Sequence, residues 1–279
     1  ESGCGKSVTA LSLLRLLPRE AARTIQGQVL LNGEDLLTKS KSQMRQIRGR
    51  KIAMILQDPQ TSLNPVFTIG NQLAEVMTKD PSAPGGSILQ QAIEALRKVK
   101  LAAPEQRVGQ YPHELSGGMK QRVVGAIAMS RGPEVLIADE PTTALDVTIQ
   151  LQFLKLLKEL QANTEMAILF ITHDFGVVAR MCDRIAVMYA GRIVETGPVR
   201  AVFDNPSHPY TQALIASVPK MSYTEARLHT IEGQPPALSD LPEGCRFEER
   251  CPYAEERCRA AYPASFDVGT EHTASCWRL

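Results

Sequence analysis

Apolar residues recur at helical spacing from Ser7 to Leu17, and Pro18 closes the segment, so the pattern predicts a helix there. "TIQGQVLLNGEDL" (24–36) alternates apolar and polar positions around Asn32-Gly33, a turn pair, and predicts antiparallel strand. "KIAMILQ" (51–57) reads as a buried strand that gives way to a polar, proline-bearing loop, "DPQTSLNP". Residues 68–131 read mostly helical, broken by the loop "DPSAPGG". A strand "VLIAD" (135–139), a helix over 147–162, a strand over 166–172, a short helix and a hairpin "RIAVMYAGRIVETG" follow. Strands alternating with helices predict an α/β fold around a parallel sheet, with an early antiparallel patch and a helical insert at about 66–131. After about Gly197 prolines at 198, 206, 209, 219, 235, 236 and 242 break the chain. The expected boundary lies near 200–205, dividing residues 1–200 from 201–279.

Composition changes this picture little. At 279 residues and 43% hydrophobic, the chain can bury a large core. A net charge of +1 gives no general attraction to nucleic acid or to an anionic membrane. The most apolar run, "MAILFIT" (166–172), has strand length and falls well short of the ~20 residues of a membrane-spanning helix. A soluble chain is expected, with any membrane role supplied by a partner.

The chemistry begins at once. "ESGCGKS" (1–7) has the glycines, Lys6 and Ser7 of a loop whose backbone N–H groups and helix N-terminus wrap a phosphate. The lysine of such a loop reaches the β- and γ-phosphates, and the hydroxyl binds Mg²⁺. By itself a Gly-Lys-Ser turn is commonplace. "VLIADEP", however, ends an apolar strand in Asp139-Glu140, one carboxylate for a metal's water shell and one to polarise a water. "FITHD" places His173 at a second strand end, and Gln57 ends a third. Open parallel sheets bind ligands at those carboxyl ends. "LSGGMKQR" (115–122), ahead of "VVGAIAMS", adds a second anion-binding device at a helix start.

Taken together, these motifs resemble the nucleotide-binding subunit of an ABC transporter. The phosphate loop (1–7), Gln57, the signature at 115–122, the strand 135–140, the "ALD" segment at 144–146 and His173 stand in that family's order. The resemblance implies a P-loop NTPase with an antiparallel β subdomain and helical insert, and ATP and Mg²⁺ as cofactors. It implies that Ser2, Gly3, Cys4, Gly5, Lys6, Ser7, Val8 and Thr9 bind ATP, with Thr9 near the α-phosphate. Ser7 and Gln57 would ligate Mg²⁺, Asp139 through water. Glu140 would be the general base and His173 the γ-phosphate sensor. Ser116, Gly117, Gly118 and Gln121 would contact a nucleotide held mainly by a second ATPase subunit, expected to be a paralogue docked head to tail, with Asp146 communicating across the pair. The segment from "NPVFTIG" resembles the part that meets the membrane subunits. In that family, strands bearing an adenine-stacking aromatic precede the phosphate loop, so the sequence is expected to be a fragment short by a few tens of residues.

"HPYT", "GQPP", "GCRF", "RCPYA" and the last cysteine resemble the C-terminal extension of ATPases that power dipeptide, oligopeptide and nickel importers. That implies two permease subunits, an extracytoplasmic substrate-binding protein acting indirectly, no nucleic acid, and a peripheral place on the cytoplasmic face of the cell membrane. Peptide is the first expectation for cargo, with nickel, or a soluble non-transport ABC ATPase, as alternatives. Cys245, Cys251, Cys258 and Cys276 are spaced C-x5-C-x6-C-x17-C, without the paired C-x2-C of a zinc ribbon. Four thiolates can hold a [4Fe–4S] cluster or Zn²⁺, and the subfamily resemblance favours the cluster; reduced thiols and disulfides remain alternatives. Arg246, Arg250, Arg257 and Arg259 interleave the cysteines, either offsetting a cluster's charge or forming a solvated face. Cys182 reads as a buried small hydrophobe, and Cys4 is given no redox role.

Overall fold

The computed structural model describes residues 3–18, 20, 26–78, 87–143, 145–218 and 230–279. The chain forms two compact units, one of residues 10–171 and one of the segment up to Thr9 together with Thr172–Leu279.

Helix α1 (Lys6–Leu13) leads into the first unit. It is shorter than the apolar spacing predicts, because Arg15 adopts a left-handed φ of 52°. Leu16 N–H reaches back to Leu11 O at 2.8 Å and Arg15 N–H to Ser12 O at 2.9 Å, a Schellman closure with arginine where glycine is usual. Arg48 receives the exposed carbonyls, donating from Nε to Leu14 O (2.8 Å) and from Nη2 to Arg15 O (3.0 Å). A helix end so occupied has no carbonyls left to continue, whatever the apolar pattern beyond it.

The predicted turn at Asn32 (φ 51°) and Gly33 (φ 80°) joins β1 (Leu30–Leu31) to β2 (Glu34–Asp35), and α2 (Lys41–Ile47) starts at a Ser40–Gln43 capping box. Strand β3 (Ile52–Ile55) follows. The polar segment after it contains a helical turn, α3 (Pro59–Ser62), rather than loop throughout. Helices α4 (Ile69–Thr78), α5 (Ile88–Lys98), α6 (Pro104–Arg107) and α7 (Gly117–Met129) make up the predicted helical stretch, and its "DPSAPGG" interruption lies outside the described residues. Strand β4 (Val135–Asp139), helix α8 (Val147–Thr164) and strand β5 (Ala167–Ile171) complete the unit. The strands form a parallel sheet in the order β3-β4-β5. Ala10, Leu14, Leu36, Met44, Ile47, Ile52 and Ile137 form one buried cluster in which α1 and α2 pack with β3 and β4.

The second unit contains α9 (Phe175–Met181), the hairpin β6 (Arg184–Tyr189) and β7 (Arg192–Pro198), then α10 (Val199–Asp204), α11 (Pro209–Ala216), α12 (Glu256–Ala260), β8 (Phe266–Gly269) and β9 (His272–Ala274). Cys182 caps α9 and is half-buried, not the buried hydrophobe expected. The sheet runs antiparallel in the order β6-β7-β9-β8. The tail therefore adds β9 and β8 to the sheet of the hairpin. The physical reason is the outer edge of β7, whose unpaired backbone is satisfied by β9 at Glu195↔Ala274 and Thr196↔Thr273.

That pairing buries a carboxylate. Glu195 is 1% exposed, with Oε1 accepting from Ser207 N–H and lying 2.8 Å from His272 Nε2, while Oε2 accepts from His208 N–H at 2.9 Å. His208 is buried too, and its Nδ1 accepts from Tyr210 N–H at 3.0 Å, capping α11. A nitrogen used as acceptor must stay unprotonated there, and burial drives the ring the same way. It pulls the His208 pKa down to about 4, against an opposing pull from Glu195. Since the unfolded ring titrates near its ordinary 6.5, only the unfolded chain takes up this proton between pH 6.5 and about 4. Stability is thus unaffected by this ring above pH 6.5 and falls as pH drops through that window, by about 3 kcal/mol at most. In His208→Asn the amide oxygen keeps the cap, and urea unfolding of the full-length protein between pH 7 and 4 is expected to show a shallower loss of stability than wild type.

Candidate active site

In the phosphate loop Gly3 (φ 78°) and Gly5 (φ 99°) both take left-handed backbone that side chains disfavour, and α1 begins at Lys6. Gly5 O accepts from Thr9 twice, through N–H and Oγ1, each at 2.9 Å. Lys6 Nζ lies 3.3 Å from Cys4 Sγ, folding the ammonium over the loop, and Cys4 is buried. Ser7 is half-buried and Val8 exposed, while Ser2 lies outside the described residues. In the same unit His173 is exposed, just before Asp174, whose Oδ1 caps α9 by accepting from Gly176 N–H (2.7 Å) and Val177 N–H (3.2 Å).

In the other unit β4 ends on Asp139, which is 3% exposed. Glu140 follows at φ 45°, a conformation costing an L-residue on the order of 1–2 kcal/mol. It is held there from both ends. Glu140 N–H donates to Ile171 O on β5 at 2.9 Å, and its Oε2 accepts from Gln57 Nε2 (2.9 Å) and Thr143 Oγ1 (3.0 Å). Two residues predicted separately, Gln57 and Glu140, are thereby brought into one hydrogen bond. Sequence reasoning missed Thr143; the signal was its place three residues after the glutamate, within the same turn.

The signature serine does what a helix start requires. Ser116 caps α7, its Oγ accepting from Met119 N–H at 3.4 Å. Gly118 is needed for packing as well, since a Cβ there would stand 2.6 Å from Ile149 Cγ2 on α8. Gln121 is fully buried and neither amide atom has a hydrogen-bond partner among the described residues. It faces inward, away from the surface on which Ser116 stands exposed, which sets it apart from the other three expected signature contacts. Asp146 is exposed and caps α8, accepting from Ile149 N–H at 3.0 Å; Ala144 before it lies outside the described residues.

Cys245, Cys251, Cys258 and Cys276 are free thiols and line one cavity with His208, Phe247, Tyr253, Trp277 and Arg278. Burial, reinforced by the other three sulfurs, pushes the Cys245 thiol up to about 11, and burial also raises Cys251. These two thiols are therefore protonated near neutrality. Among the described residues no group of three or more His, Cys, Asp or Glu is set to hold a metal ion, so neither the zinc nor the iron–sulfur expectation has a preformed ligand group. The interleaved arginines hold protein partners instead. Arg257 pairs with Glu255 and Arg259 with Glu248, Arg250 donates to Glu232 O and Tyr189 Oη, and Arg246 to Ala190 O. The cation that does line the cavity, Arg278, stacks over Tyr253 at 3.9 Å and was not foreseen, although it follows the last cysteine by two positions.

A glycine-bent phosphate loop at a helix start and a parallel sheet ending in paired acids define an ATP-binding cassette. Residues 1–143 match the ABC transporter family and residues 194–258 the oligopeptide/dipeptide transporter C-terminal region. A probable peptide ABC transporter ATP-binding protein of Sinorhizobium fredii, y4tR, is 52% identical over the whole chain and 83% of its own length. The dipeptide transport ATP-binding protein DppD of Bacillus subtilis is 46% identical over 99% of the chain and 83% of its length. Among solved structures, the ATP-binding cassette MJ0796, seen as a post-hydrolysis dimer with ADP and phosphate, superposes with a TM-score of 0.61 at 27% identity, covering 72% of this chain and 83% of that one. CbiO1 of Clostridium perfringens gives 0.63 at 27% identity, covering 74% and 77%. The chain belongs to the ABC transporter family, as an ATP-hydrolysing subunit.

Gly118→Ala is expected to push α7 off α8 and cost about 1–3 kcal/mol, the usual range for overpacking. A double-mutant cycle with Ile149→Ala, read by chemical denaturation, should show that most of that cost disappears once Ile149 is shortened; an undiminished cost would mean the methyl meets some other obstacle.

Proposed function

We propose that this ATPase drives the import of di- or oligopeptides. The peptide reading is supported by the similarity of the tail to the oligopeptide/dipeptide C-terminal region and by relatives described as peptide and dipeptide transport proteins. The partners are a second ATPase subunit, a paralogue docked head to tail, and two permease subunits that receive cargo from an extracytoplasmic binding protein. No described helix is long and apolar enough to cross a membrane. The permeases would hold the subunit at the cytoplasmic face of the membrane.

The observation that carries the catalytic reading is the clamp on Glu140. Gln57 and Thr143 both donate to one oxygen, Oε2, and so fix the orientation of a carboxylate that would take a proton from an attacking water. Lys6 and the backbone of residues 3–7 hold the phosphates, His173 meets the γ-phosphate, and Ser116, Gly117 and Gly118 grip a nucleotide bound to the partner. The hydroxyl of Ser7, the amide of Gln57 and the buried carboxylate of Asp139 are hard oxygen donors suited to Mg²⁺, which when bound neutralises charge on the phosphate oxygens. Loss of the γ-phosphate removes contacts made only in the closed pair, so hydrolysis shifts the pair toward opening. Glu140→Gln keeps the acceptor for Gln57 and Thr143 but not the base. In the assembled transporter its ATP turnover is expected to fall about 10²-fold or more while ATP binding persists; unchanged hydrolysis would remove Glu140 from that role.

We further propose that Cys245, Cys251, Cys258 and Cys276, whose sulfurs line one cavity, are the ligands of a [4Fe–4S] cluster, although among the described residues no group is set to hold a metal ion. Bound there it would act as a structural crosslink. The full-length protein purified anaerobically is expected to contain about four iron and no zinc, with broad visible absorbance; an iron-free, fully folded protein with four titratable tail thiols would refute this.

A further inference from the structure

The loop 3–7 does not support itself. Its Cys4 carbonyl accepts from Gly191 N–H at 2.8 Å, and the Gly5 backbone lies on the same turn, where a Cβ would stand 3.6 Å from Gly191 Cα and 3.8 Å from Met188 Sδ. The turn consists of Ala190 (φ 43°) and Gly191 (φ 80°), both left-handed. Gly191 can be replaced there only with strain, and Ala190 is buried in that strained form.

On its other side the turn is covered by the C-terminal extension. Arg246 Nη1 donates to Ala190 O, and a Cβ on Gly191 would lie 3.2 Å from the same nitrogen. Gly191 is therefore layered between the phosphate loop and one guanidinium. Arg246 is itself fixed on both flanks. Gly244 has no room for a side chain, because a Cβ would fall 2.2 Å from Cys258 O, and Cys245 N–H donates to that same carbonyl at 2.7 Å. Phe247 is buried against Tyr189 (ring centroids 5.2 Å apart) and Tyr210 (5.4 Å).

As a stability element the arrangement is poor. The side chain of Arg246 is half-buried, its Nε has no hydrogen-bond partner among the described residues, and the nearby Arg192 repels the guanidinium. An apolar side chain of similar length would leave no such nitrogen unpaired. What it could not do is hold the Ala190 carbonyl.

We infer that Arg246 is a positioning residue for ATP binding, fixing the phosphate loop through the Ala190–Gly191 turn. This rests on the reading of residues 3–7 as the phosphate site. It assigns the C-terminal extension a part in the nucleotide cycle that does not depend on what the cysteine cavity holds.

The test is steady-state ATPase kinetics of the full-length protein assembled with its partner subunits. Arg246→Ala is expected to raise KM for ATP by about fivefold or more, with kcat within about twofold, the effect of losing one charge-assisted hydrogen bond on ground-state binding. Arg246→Lys keeps a donor for Ala190 O and is expected to recover most of the affinity. Arg250→Ala is the comparison, because it breaks bonds to Glu232 O, Ile231 O and Tyr189 Oη and leaves the Arg246–Ala190 bond in place. Its KM should stay at the wild-type value. An unmoved KM in Arg246→Ala overturns the inference, as does an equal rise in Arg250→Ala, which would mean general loosening. If Arg246→Ala does not accumulate, Arg246→Gln and Arg246→Lys decide in the same way, a wild-type KM in both with Gln unable to reach the carbonyl counting against it. Wild-type protein that fails to hydrolyse ATP would instead sink the reading of the site itself.

Discussion

A loop that turns its N–H groups toward an anion must turn carbonyls elsewhere, and each carbonyl then needs a donor of its own. In this chain the Cys4 carbonyl finds Gly191 N–H, and the Gly5 carbonyl finds Thr9. The glycines make the bend possible, but these acceptor contacts decide which bend is adopted. The turn that supplies Gly191 belongs to the hairpin β6–β7, so the nucleotide loop's shape depends on a sheet distant from it in sequence.

The same sheet explains why the extension is more than an appendage. Strand β9 closes the edge of β7 and in doing so seals Glu195 away from water. A buried carboxylate is costly unless every lone pair is used, and here two backbone N–H groups and the His272 ring converge on it. Those donors come from the 207–208 segment and from β9. The carboxylate therefore fixes where the chain re-enters α11 and where the tail strand lies, and those two constraints bring Phe247 and its neighbours against Tyr189.

The elements were legible where the sequence pattern and the local physics agree. The apolar runs at 52–55 and 135–139 are strands with most residues buried, the run at 167–171 is an edge strand beside them with Ala167 and Leu169 exposed, and the acids after 138 mark the end of β4. The turn pairs Asn32-Gly33 and Ala190-Gly191 sit between the strands they join. Where a distant partner decides, the pattern was silent. The apolar positions Leu14, Leu16 and Leu17 prolong a helical spacing, yet Arg48, from another element, takes the carbonyls that close α1. Nothing in the hairpin's pattern marks Glu195 as buried, because alternation assigns a face without saying what covers it. Glu140 was found by type, while its clamp by Gln57 required the register of β3 on β4.

Two charged groups, Glu195 on β7 and Arg246 of the extension, illustrate different physical outcomes. Glu195 is satisfied by its surroundings, so its burial specifies one arrangement of the tail at tolerable cost. Arg246 is half-buried, and its Nε has no hydrogen-bond partner among the described residues and lies near another cation, so its placement is hard to account for by stability alone. The acceptor in this case is the carbonyl of a strained alanine whose neighbour holds the phosphate loop. The cost of placing a guanidinium there is intelligible if the tail fixes that turn, and has no evident compensation if the tail merely covers a sheet edge.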